Sequence, residues 1–154
     1  MIALSNYRSY WEGVAQRIEA ITATMGVTVD EDMGPRLQNI PAGTATLFWI
    51  VPSAQPHKGS DVDNFSEDNI CVIFVMVKYD RQRQRATDVL EQVQPIIEQL
   101  KQIIIDDTAT GCPALAGLDV TTLSTIPETG FYGDFAGWSL GFTIKSDWAW
   151  IPKG

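Results

Sequence analysis

An α+β fold is what the sequence predicts: an antiparallel sheet of about four strands packed by an N-terminal helix and a long second helix, in the order α-β-β-α-β-β. Three observations carry that expectation. Apolar residues recur every three or four positions over residues 6–25 and again over 81–106, the period of a helix with one buried face. Residues 69–79 are β-branched or aromatic on both parities, as in a central strand covered on both sides. Trp138, Leu140, Phe142 and Ile144 alternate with Ser139, Gly141, Thr143 and Lys145, the period of two of a half-buried strand.

In the first helix Tyr7, Tyr10, Trp11, Val14, Ile18, Ile21 and Met25 fall on one face, with Arg8, Glu12, Gln16 and Glu19 on the other. Ser5 or Asn6 suits its start and Gly26 the left-handed position past its end. Residues 27–44 carry Asp30, Glu31, Asp32, Gly34, Pro35, Pro41 and Gly43 and read as a loop. A strand follows over 45–51, stopped by Pro52. The polar stretch 53–68 reads as a long loop before the central strand.

The second helix holds Ala86, Val89, Leu90, Val93, Ile96, Ile97, Leu100, Ile103 and Ile104 in phase through Pro95, which predicts a kink rather than two helices. Residues 106–117 form a turn region. A strand is expected over 118–126, then a glycine- and aromatic-rich approach over 127–137, then the alternating strand, whose parity continues through Trp148 and Trp150.

The 154 residues suit one domain with one core, and 45% apolar with 19% charged content is that of an ordinary globular protein. The longest apolar run, residues 70–77, falls far short of the roughly 20 residues of a membrane helix. The first residues lack a basic start followed by an apolar stretch, so no signal peptide is expected, and the protein is read as cytoplasmic when made. Without export, Cys71 and Cys112 are expected as thiols, Cys71 in the core. A net charge of −8 argues against specific nucleic-acid binding and against anionic membranes.

No residue draws a catalytic assignment, and no metal or cofactor is implied. The single histidine, His57, has Ser60, Asp61 and Asp63 nearby in sequence but no strand–turn–helix context for a nucleophile, so it reads as a solvated loop residue. The acidic stretch 61–68 matches a calcium loop only at its first two acids, because Phe65 and Ser66 occupy the turn positions. Gly130, Gly133 and Gly137 have no following helix to hold a phosphate and suit tight turns beside aromatics.

Two features point to assembly. Lys78, Arg81, Arg83 and Arg85 put four of the eleven basic residues within eight positions, where the central strand hands over to the long helix. They read either as a solvated turn before a helix starting near Thr87 or as a patch that meets Asp61, Asp63, Glu67 and Asp68 of a neighbouring copy. Trp148 and Trp150, near the end of the sequence, either pad the chain's own core or anchor on an adjacent subunit.

The element order, with the approach Phe131-Tyr132-Gly133-Asp134-Phe135-Ala136-Gly137 and the late strand over 138–144, resembles the tail-terminator and tail-completion proteins of long-tailed phages. That resemblance implies a non-enzymatic structural subunit at the head–tail junction: a homo-oligomeric ring, bound to other tail or connector proteins and carried into the virion. The tryptophan-rich end and the stretch 53–68 depart from the family pattern. The alternative is a small ligand-binding or regulatory module, monomeric or dimeric, with a ferredoxin-like α+β core.

Overall fold

The computed structural model describes residues 1–27, 33–131 and 133–147. It is α+β, as the periodicities predict, but the sheet has six strands and is mixed rather than wholly antiparallel. The elements in chain order are α1 (Leu4–Arg17), β1 (Ile21–Val27), α2 (Met33–Gln38), β2 (Ala45–Ile50), β3 (Ser53–Pro56), β4 (Ser66–Lys78), α3 (Ala86–Ala109), a 3-10 turn (Pro113–Leu115), β5 (Leu118–Phe131) and β6 (Phe135–Asp147). Strand order is β1-β2-β4-β6-β5, with β3 pairing β4 alongside β2. Among the described residues, only the β1–β2 pair is parallel.

Several expectations change. The first helix stops at Arg17, and Ile21–Val27 is a strand instead of its last two turns. Ile21 and Met25 fit a helical stripe, but Thr22 and Thr24 favour extended backbone, and six residue pairs with β2 outweigh the local preference. Gly26 is therefore no helix cap. A Cβ there would stand 2.5 Å from the Trp49 ring, so glycine is what lets the indole lie against β1. The helix start moves as well: Ala3 precedes it with no side-chain cap, so neither Ser5 nor Asn6 takes that role.

The expected loop 27–44 contains α2, and the long loop 53–68 shrinks to 57–65 because its two ends pair as β3 and the start of β4. Pro52 interrupts rather than ends the strand. β2 pairs Ile73–Val77, the chain breaks step at Val51–Pro52, and β3 resumes on the same edge of β4 opposite Glu67–Ile70. β5 and β6 are longer than expected and form one hairpin, in which the approach 127–137 is mostly strand. Its register shifts between Asp119 and Ser124, and there the Thr122 hydroxyl accepts the Thr143 N–H at 2.9 Å in place of a backbone carbonyl.

α3 runs unbroken through Pro95, whose exposed position keeps its ring out of the core. Its buried residues Val89, Val93, Ile97, Leu100 and Ile104 trace one stripe down onto the sheet. α1 lies on the same face, with Tyr7, Trp11 and Val14 buried. The sheet answers with Leu47 and Trp49 of β2, Cys71, Ile73, Val75 and Val77 of β4, and Leu140, Phe142 and Ile144 of β6. Trp11 packs edge-on against Tyr7 at 5.7 Å and against Tyr10 at 4.9 Å. Trp138 Nε1 ties the sheet to α3 by donating to the Leu90 carbonyl at 2.9 Å, and within the sheet buried Asn69 donates to the Ile144 carbonyl at 2.8 Å.

The opposite face carries a smaller cluster. Leu37 and Ile40 cover Phe48, Met76 and Phe135 at the end of the sheet where β4 finishes. Among the described residues, α2 is the one helix on that side.

Candidate assembly surfaces

β4 is 13 residues long, so its ends stand about 40 Å apart. Each charged cluster singled out in the sequence sits at one of them. At the far end, Lys78 is the last strand residue, and the turn after it displays Arg81, Arg83 and Arg85 to solvent. Asp80 organises that turn: its carboxylate accepts the Gln82 N–H at 2.9 Å and pairs with Arg83 at 3.5 Å. The Arg85 N–H donates to Asp88 in the first turn of α3, which places an acid where the helix dipole favours one. Lys78 Nζ reaches the Gln38 carbonyl of α2 at 3.4 Å. Arg81 extends toward Gly130 of the β5–β6 hairpin and has no carboxylate partner among the described residues. The helix starts one residue before Thr87, so the turn before it holds three of the four cations while Lys78 closes β4.

At the near end the acids differ in how they are engaged. Asp61 is exposed and turns the chain on itself, accepting N–H groups of Asp63 at 3.1 Å and Asn64 at 2.8 Å. Asp63 is exposed beside it. Glu67 pairs with the α-amino group of Met1. Asp68 accepts from His57 Nδ1 at 2.9 Å. Half of the acidic cluster is thus matched within the chain, and Asp61 and Asp63 carry what is left for a partner.

The His57–Asp68 contact does put a carboxylate beside the histidine, the first half of a catalytic arrangement. The second half does not form among the described residues. The Ser60 hydroxyl donates to the Ser66 carbonyl at 3.0 Å, and no side chain bonds His57 Nε2. No three His, Cys, Asp or Glu side chains among the described residues converge as metal ligands would. Trp148 and Trp150 lie outside the described residues.

Three features were beyond sequence reasoning. Asp107, at the end of α3, accepts Tyr10 at 2.9 Å and Arg17 at 2.6 Å, clasping the two helices. Partial burial works against its charge, but the Arg17 and Tyr10 hydrogen bonds outweigh that and hold the carboxyl below its ordinary value of 3.8. Burial, then the bond to Asp107, pushes the Tyr10 phenol well up. Burial alone pushes the Cys71 thiol up to about 11, so it is no nucleophile at neutral pH.

Second, a groove of about 440 Å³ runs along the free edge of β1, between Arg8, Glu12, Thr24, Arg36 and Trp49. The Thr24 hydroxyl beside it is buried without a hydrogen-bond partner. Third, among the described residues α2 is the one helix on the sheet face opposite α1 and α3. Contacts between residues as far as 97 apart build them, and no local motif announces them. No helix among the described residues is long and apolar enough to cross a membrane. No family model and no curated protein sequence matches this chain.

Proposed function

We propose that the chain is a non-enzymatic structural subunit of a phage tail or head–tail junction, closing into a ring through head-to-tail contacts between copies. The observation that carries this reading is the separation of charge along β4. Lys78, Arg81, Arg83 and Arg85 stand about 40 Å from Asp61 and Asp63, several Debye lengths at physiological salt, so these two clusters do not meet within one molecule, although Asp80 already engages Arg83. Two different patches that complement each other make a heterologous contact, and such contacts generate rings when the rotation closes. The order of an N-terminal helix, a sheet and a long helix packed across it supports the resemblance to tail-terminator proteins. Trp148 and Trp150 belong to the proposal as anchors on the adjacent subunit, and the acidic balance as a wall that DNA passes without sticking.

The test is molar mass by light scattering over concentration and salt, with and without magnesium. The reading expects several times the 17.0 kDa of one chain, and a fall toward one chain when Arg81, Arg83 and Arg85 are all changed to Glu. A monomer under every condition, or a triple variant that assembles as before, would sink it. The groove beside β1 favours a second reading, a small binding module, since Arg36 on its wall has no carboxylate partner among the described residues.

A further inference from the structure

β1 ends the sheet on one side. Among the described residues it pairs with β2 alone, so the N–H and carbonyl groups of its outer edge take no partner from the sheet. Two grooves, of about 330 and 440 Å³, follow that edge and share Glu12 and Thr24, so together they run beside residues 21–26. Six strand residues extend for about 20 Å. α1 supplies one wall through Glu12 and Ala15, and α2 enters through Arg36. Thr22 and Ala23, neighbours whose side chains take opposite faces of the strand, are both exposed. The opposite edge of the sheet differs. β5 leaves register between Asp119 and Ser124 and carries Pro127, and both devices blunt an edge against a further strand.

One segment of the chain matches this edge in length, composition and charge. The six residues 148–153 are as long as the groove, and they begin with two Trp and an Ile, types enriched in strands. Asp147 stands at one end of the segment and Lys153 at the other. The groove is charged to suit. Arg36, at its Gly26 end, and Glu19, exposed two residues before Ile21, have no ionic partner among the described residues. Arg8 is taken by Glu12 at 2.8 Å, and Arg17 by Asp107 at 2.6 Å. Laid antiparallel to β1, the segment brings Asp147 to Arg36 and Lys153 to Glu19; laid parallel, it would set like charge on like. The antiparallel direction also puts Trp148 beside Gly26, where the Trp49 ring lines the groove. Pro152 then falls beside Thr22, where β1 itself is out of register.

The segment cannot serve its own chain in this way. Asp147 is level with Ser66 of β4, whereas Thr24 is level, through Leu47, with Val75. Nine residues along the sheet and three strands across it put Asp147 and Thr24 about 33 Å apart. Residues 148–154 reach at most about 25 Å from Asp147. We propose that residues 148–153 add as a further strand to the β1 edge of a neighbouring copy, antiparallel to its residues 21–26. The proposal rests on the reading of the chain as a head-to-tail subunit and names the place where Trp148 and Trp150 anchor. Main-chain hydrogen bonds give the contact its affinity, and the charges at its two ends give it direction. Donor and acceptor are different patches, so each copy gives one strand and receives one, as a ring requires.

Cross-linking between two full-chain variants tests it. Both carry Cys112→Ser, which leaves only the buried Cys71; one adds Ala23→Cys and the other Ile151→Cys. The two are given tags of different mass, mixed and treated with a short bismaleimide, so a mixed product joins two chains by construction. That product is expected to be at least tenfold more abundant than the one from Ala23→Cys mixed with Gln99→Cys, an exposed position on α3. Separately, a fluorescent peptide of residues 147–154 is titrated into the full chain carrying Trp148→Ser and Trp150→Ser. It is expected to bind, and to bind at least tenfold more weakly when the exposed Arg36 is changed to Glu. The peptide with Asp147→Lys is expected to recover binding to that Arg36→Glu chain. Cross-linking no better than the Gln99 control would overturn the proposal, as would a peptide that does not bind. If the parent chain still has the mass of several copies, the ring reading then stands without it. Specific cross-linking and peptide binding in a chain that scatters as a monomer under every condition would keep the strand contact and sink the ring.

Discussion

At position 137 the β6 backbone passes so close to β4 that a Cβ would lie 2.0 Å from the Val75 carbonyl oxygen. The sequence suggested a tight turn for this glycine; its place inside a paired strand makes it a spacer instead. Backbone cannot yield as a side chain tip does, so Gly137→Ala is expected to cost about 2–3 kcal/mol, read as a lowered midpoint in urea unfolding. Asp107 offers a residue-scale test of charge. Its folded pKa lies below the unfolded value, so its contribution is fully present above 3.8 and is lost as pH falls through the lower folded value. Asp107→Asn is expected to lower stability by on the order of 1 kcal/mol at neutral pH, since the Arg17 side chain is half exposed and the pair is screened. The difference from the parent should shrink below pH 3.8 in thermal melts; a constant difference would mean that the clasp acts by packing alone.

Elements were decided by competition between local periodicity and distant partners. Residues 21–27 satisfy a helical stripe through Ile21 and Met25, yet they become strand because β2 stands ready to take their N–H and carbonyl groups. Around Pro52, which lacks an N–H, the chain's pairing with β4 breaks for three residues, after which β3 continues on the same edge. α3 resolves the opposite way. Its apolar stripe is strong enough to carry the helix across Pro95, which gives up one backbone hydrogen bond and packs nothing in return. Pro95→Ala is therefore expected to raise stability by about 1–3 kcal/mol and to lift the melting temperature. A drop would show that the proline shapes the helix to the sheet.

For the whole molecule, the governing feature is polarity along β4: cations and α2 at one end, acids at the other, both long helices on one face. Association through those ends is electrostatic and exposed, so raising salt from 0.1 to 1 M is expected to reduce the measured mass, as the Debye length falls from about 10 to 3 Å. A mass insensitive to salt would assign assembly to apolar contacts instead.

Sequence alone determined the α+β class, the central strand, the alternating last strand and the buried stripes of both long helices, because each is a short-range pattern in which neighbouring side chains share one environment. It also located the two charge clusters. It could not place them at opposite ends of one strand, turn residues 21–27 from helix into strand, extend 53–56 into the sheet, or bring Tyr10 and Arg17 to Asp107. Those depend on which segments pair across the fold, and pairing energy at a distance leaves no period in the chain. The two faces of β4 are the clearest case: the strand is apolar on both parities, and only the tertiary structure shows that α1 and α3 lie on one face while α2, among the described residues, is the one helix on the other.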